Sequence, residues 1–151
     1  MNEITRIKDQ LEKAFSGGAW HGPSVLESTK DVTFEKANVR QTPDTHSIWE
    51  IVVHIDAWQN VVCARLNGTN TNPTDEEDWP TIKDKNEKAW SETLINLERN
   101  FKKLIELVST FDETKIDEIV VGKNYSNYFM LHGLVQHYVY HAGQISLLKK
   151  L

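Results

Sequence analysis

The chain has 151 residues, 39% hydrophobic and 26% charged, a composition that buries a core and sets it apart from disordered chains. A formal net charge of −5 and a pI near 5.7 lack the concentrated basic surface that phosphate contacts require, so no nucleic-acid partner is expected. No stretch is apolar enough to span a bilayer and the start carries no secretory pattern, so a cytoplasmic protein without a membrane partner is expected.

Ile4, Ile7, Leu11 and Phe15 recur at spacings of three and four, which predicts a first amphipathic helix that Gly17 and Gly18 interrupt. Trp20 to Ser24 reads as a turn, with Pro23 opening a helical piece through Val25 and Leu26. Thr33 to Thr42 is expected to be loop with a short helical piece, bounded by Pro43 and Asp44. A second long helix starts near His46 or Ser47, where Ser47 as N-cap and Glu50 three residues on can form a capping box, and stops near Asn67 and Gly68. Its β-branched valines raise the alternative of a strand, but Ile51, His54, Ile55, Trp58 and Val62 keep the helical period. Thr69 to Pro80, rich in Asn, Thr, Asp and Glu, is expected to be an exposed loop.

Trp90, Leu94, Leu97, Phe101, Leu104 and Val108 alternate steps of four and three, the seam of a bundle helix. The charges between them, Glu92, Glu98, Arg99, Lys102, Lys103 and Glu106, form a solvated face. Phe111 to Tyr125 breaks the period, and a short extended piece with a turn is expected within Ile119 to Tyr125. Ser126 or Asn127 then caps a last helix running to the C-terminus, where Lys149 and Lys150 suit the helix dipole. Four long helices over residues 1–151 make one all-α, four-helix bundle domain. The one cysteine, Cys63, lies among valines and alanine and reads as a packing thiol.

The most informative residues are His137 and His141, one turn apart on one face of the last helix. Two imidazoles at this spacing can bind one metal ion, and His54, on the apolar face of the second helix, can complete a three-histidine site. Burying three imidazoles among apolar side chains is costly unless each finds a partner, and one metal supplies a partner to all three. Three ligands leave a coordination position for water or substrate, the arrangement of catalytic sites. Zinc, nickel and iron(II) all accept imidazole. His132 lies five residues before His137, about 140° around the helix, and is not expected to join them.

No Glu follows His137, unlike the metalloprotease helix, so a general base must come from elsewhere. Glu50, one turn before His54, is a candidate base or orienting residue beside its capping role. His21, in the stiff Trp20–Ser24 turn, is a second candidate for proton transfer beside its reading as a surface residue. Trp58 and Gln144 are candidates for contacting substrate or orienting a ligand. His46 is expected to be exposed at a helix start.

Two segments, 47–55 (Ser-Ile-Trp-Glu-Ile-Val-Val-His-Ile) and 132–145, which ends Tyr-His-Ala-Gly-Gln-Ile, resemble the signature segments of the DinB/YfiT-like superfamily. Residues 18–24 resemble a stretch of one DinB-like branch. The resemblance implies a bundle with up-up-down-down connectivity and a divalent metal, zinc or nickel, held by His54, His137 and His141. It also implies a homodimer and chemistry on small molecules with a low-molecular-weight thiol. The expected function is therefore a metal-dependent enzyme, a thiol-dependent S-transferase or isomerase. The alternatives are a metal-dependent hydrolase and a non-enzymatic, stress-associated bundle in which metal supports structure.

Overall fold

A computed structural model describes residues 2–151. Four long helices dominate: α1 (Glu3–Ser16), α4 (Ile48–Leu66), α6 (Glu87–Ser109) and α7 (Asn127–Leu148). Three short ones lie in the connections: α2 (Val25–Thr29), α3 (Phe34–Ala37) and α5 (Asp75–Asp78). A 3-10 turn covers Glu113–Lys115, and no strand occurs among the described residues beyond one isolated bridge between Ile119 and Ser126. The protein is an all-α bundle.

Local chemistry sets the helix starts. Ser47 accepts from the Glu50 amide while the Glu50 carboxylate accepts from the Ser47 amide, so the predicted capping box opens α4. Ser24 with Glu27 and Thr74 with Glu77 form two more, and Ser126 caps α7. The seam of α6 faces inward: Trp90, Leu97, Phe101, Leu104 and Val108 are buried, and the predicted charged face is exposed. One hydrophobic cluster runs through the bundle. In it Phe15 of α1 stacks on Phe101 of α6 at 3.8 Å between ring centroids and tilts against Tyr138 of α7.

Cross-helix pairs give the direction of each helix. Trp49 meets Trp90 and Thr93, while Asp56 meets Asn100, so α4 and α6 run parallel. His54 meets His137 and Arg65 meets Tyr125, so α4 and α7 run antiparallel. Glu3 meets His132 and Phe15 meets Tyr138, so α1 and α7 run parallel. In chain order the bundle is therefore up-down-down-up, which corrects the up-up-down-down order implied by the resemblance. The connections before α4 and after α6, long enough for a crossover by length alone, join antiparallel helices. The crossover is instead the segment 67–86.

That segment positions the site. The 19 residues of α4 span about 28 Å at 1.5 Å per residue, and α6 starts beside the N-terminal part of α4. The chain must travel back along α4 before α6 can begin. On the way α5 forms, and it delivers Asp78 and Trp79 to the first half of α4, where His54 lies.

Candidate metal centre

α4 and α7 bring His54, His137 and His141 together, with one nitrogen from each within 4.8 Å of the others. His54 and His141 are buried and His137 is half-buried. His54 Nδ1 lies 2.7 Å from the Asp78 backbone oxygen, which can only accept, so Nδ1 carries the proton and Nε2 presents a lone pair. His141 Nδ1 donates in the same way to Gln144 Oε1 at 2.6 Å, again leaving Nε2 as a lone pair. His137 Nε2 stands 3.0 Å from His54 Nε2, while its Nδ1 is buried with no hydrogen-bond partner.

This donor set fits a cation. At least two of the three converging nitrogens present lone pairs. One proton shared between His54 and His137 would leave the His141 lone pair unmatched in a partly apolar setting. A single metal ion accepts all three. Burial, reinforced by the neighbouring imidazoles, pushes His137 down to about 3. Burial also lowers His141 to about 4, against the opposing Gln144 hydrogen bond, and lowers His54 against its contacts with Asp78. Near neutral pH all three rings are uncharged, the form that binds metal. Tying the second ring nitrogen to an oxygen, as Asp78 and Gln144 do, fixes tautomer and orientation.

Aromatic rings enclose the cluster. Trp79 lies between His54 and His46, with centroid distances of 3.9 Å and 3.5 Å and planes within 6° of parallel. Trp58 donates its indole N–H to Asp78 Oδ1 at 2.6 Å, and that oxygen lies 3.1 Å from His54 Nδ1. Trp58 thus holds the carboxylate beside His54.

Between α4 and α7 a cavity of about 250 Å³ adjoins His137. Val62, Phe129, Met130 and Leu134 line it. The antiparallel run of the helices sets Trp58 and His137 toward one end and Arg65 and Tyr125 toward the other. Behind the cluster, Tyr138 donates to Gln59 Oε1 at 2.9 Å. Gln59 in turn donates to Asp56 and to the Leu97 carbonyl.

The other candidates lie elsewhere. Glu50 is ion-paired with Arg40 and holds the capping box. These hydrogen bonds outweigh the opposing effect of burial and bring its carboxyl down to about 2. His21 is exposed and lines a separate depression with Trp20, Val135 and Val139. His132 faces the start of α1, 3.7 Å from Glu3 Oε1, and is outside the cluster. Burial pushes the Cys63 thiol up to about 11, which keeps it protonated near neutral pH.

Sequence reasoning missed Asp78 and Trp79 because segment 69–80 reads as polar loop. The signal available was Trp79 itself, a large apolar side chain within an acidic stretch. His46, exposed as expected, is also tied to the site through its stack on Trp79.

Fold and cluster define a helical bundle with a three-histidine centre able to hold a metal ion. The DinB superfamily model matches residues 20–145, and the chain belongs to that superfamily. The match begins after α1, which nonetheless packs into the same core. No curated protein and no solved structure matches the chain. No helix among the described residues is long and apolar enough to cross a membrane.

Proposed function

We propose that the protein is a divalent-metal-dependent enzyme that uses a low-molecular-weight thiol, as an S-transferase or isomerase acting on a small molecule. The observation that carries this reading is the convergence of three imidazoles, two with the second nitrogen already tied to an oxygen. His54, His137 and His141 would hold zinc or nickel. A divalent ion held there lowers the pKa of a thiol or water that it binds. Asp78 and Gln144 keep the Nδ1 protons of His54 and His141 in place, so both rings offer Nε2. Trp58 and Trp79 wall the cluster and restrict water. Glu50, paired with Arg40, and His21, on a separate depression, are less well placed for proton transfer, which favours a nucleophile that needs no separate base. A homodimer, implied by the resemblance, belongs to the same proposal. It is supported by an exposed stripe of Phe129, Tyr140 and Leu147 along α7.

The test is cobalt substitution followed by addition of a small thiol. The visible spectrum should gain a sulfur-to-metal charge-transfer band that disappears, with the metal, in His54→Ala. A spectrum indifferent to thiols, together with cleavage of an ester or amide, would replace the transferase with a hydrolase. Tight metal binding with no exchangeable position would favour the structural role.

A further inference from the structure

Arg65 has no carboxylate partner among the described residues, although it is only 7% exposed. Its Nη1 donates to the Tyr125 hydroxyl at 2.8 Å and its Nη2 to the Thr71 carbonyl at 3.1 Å, both uncharged acceptors. Its Nε is buried with no partner at all. The guanidinium carbon sits 5.4 Å from the centre of the Trp58 ring, and His137 lies 6.2 Å from that same ring. The side chain therefore folds back along α4 toward the histidine cluster, as helix side chains do. Lys123 is also near. Desolvation and then the charge of Arg65 lower its pKa. A buried guanidinium without a counter-charge is costly, and a monoanion is the group that offsets one fixed positive charge.

We propose that the cavity between α4 and α7 is a substrate pocket with Arg65 as its anchor. It takes a small molecule with an apolar body and one terminal carboxylate. The carboxylate meets the guanidinium, the body lies along Phe129 and Leu134, and the far end reaches His137. The planar fork of Arg65 matches a carboxylate, and a cavity of about 250 Å³ suits a short chain rather than an extended ligand. This inference rests on the histidine cluster being the reactive centre, but its test separates the two.

The full-length chain, metal-free and zinc-loaded, is titrated calorimetrically with hexanoate and with hexan-1-ol. Hexanoate should bind about tenfold more tightly in both states, the size expected of a charge-assisted hydrogen bond. Arg65→Gln should bring the two affinities together. A second measurement covers the case in which that variant does not fold. Phenylglyoxal modification of Arg65 in the wild-type chain, followed by mass spectrometry, should be slowed several-fold by hexanoate but not by hexan-1-ol. Arg6 and Arg99 should react at unchanged rates. Equal binding of the two probes, binding of neither, or a preference that survives Arg65→Gln would overturn the proposal. So would a preference seen only with zinc, because the carboxylate would then be binding the metal. Failure to load zinc would defeat the metal reading and leave the metal-free comparison to judge Arg65.

Discussion

Trp79 lies face to face on His54, with ring centroids 3.9 Å apart and planes 6° from parallel. The contact joins the crossover segment to α4 at the ring that also receives the Asp78 carbonyl. The orientation of His54 is thus held by residues far from it in sequence, and the crossover is part of the site rather than a tether.

Trp79→Ala should therefore weaken metal binding without removing a ligand. Residues that orient ligands typically contribute about ten- to a hundredfold in metal affinity. A loss of about tenfold is expected for Trp79→Ala, with most of the affinity restored in Trp79→Phe, whose ring can still stack. Competition against a chelator of known affinity measures it. An affinity unchanged in Trp79→Ala would show that the stack does not orient His54.

The ligands themselves should behave differently. His137→Ala and His141→Ala should reduce bound metal from about one ion per chain to a trace, because two imidazoles alone hold a divalent ion poorly. His132→Ala should keep it, since His132 lies beside Glu3 on the α1 side, outside the cluster. Elemental analysis of untagged protein decides this, and equal loss from His132→Ala would remove the assignment.

The two histidines of α7 were legible because their spacing is local: four residues on a helix fix a shared face whatever the rest of the chain does. His54 was legible because an imidazole in an otherwise apolar stripe needs a partner. The α6 seam, the capping box of Ser47 and the N-cap of Ser126 are local in the same sense. The direction of the helices was not legible, because length shows that a connection can cross over but not which one does. Asp78 and Trp79 were hidden for a related reason. Their role comes from the path that 67–86 must take once α4 and α6 run parallel, a property of the assembled bundle. The environment of Arg65 was hidden as well, because Tyr125 and Trp58 close around it only in the folded bundle.

Glu50 gives a pH prediction. Its folded-state pKa, about 2, lies below the ordinary 4.5, so its contribution is fully present above about pH 4.5 and is lost as pH falls toward 2. Glu50→Gln should cost about 1 kcal/mol near neutral pH, in the range of a lost cap interaction and a discounted surface ion pair. The gap between wild type and variant should shrink steadily from pH 4.5 to 2. Urea unfolding across that window measures it, and a gap independent of pH would mean that the charge of Glu50 contributes nothing.

Tyr138 tests the packing behind the metal separately from the metal itself. Its side chain is fully buried between α1, α4 and α6, and its hydroxyl is the donor to Gln59 Oε1. Tyr138→Phe keeps the ring but leaves that oxygen unsatisfied, at a cost of about 1–3 kcal/mol. The Gln59 amide group keeps its bonds to Asp56 and Leu97, so the local structure should hold. Metal content should stay near one ion per chain because no ligand or orienting oxygen changes. Chemical denaturation with parallel metal analysis separates the two effects. A drop in metal content as large as that in His137→Ala would mean that the buried network positions the histidines directly.

The proposed homodimer can be tested on the exposed stripe of α7. Tyr140 and Leu147 lie two turns apart on that face and are 65% and 61% exposed. Neither lines the Arg65 cavity, so changing them leaves that pocket intact. If the stripe is the dimer face, the pair Tyr140→Glu and Leu147→Glu sets like charges against one another across a two-fold axis and should raise the dimer dissociation constant at least about a hundredfold. Light scattering at micromolar concentration should then return the dimer mass for wild type and the monomer mass for the double variant. Circular dichroism should show equal helix content, because both side chains point to solvent within one chain. A wild-type chain that is monomeric throughout the range would remove the dimer from the proposal. A double variant that remained dimeric would move the interface to another face.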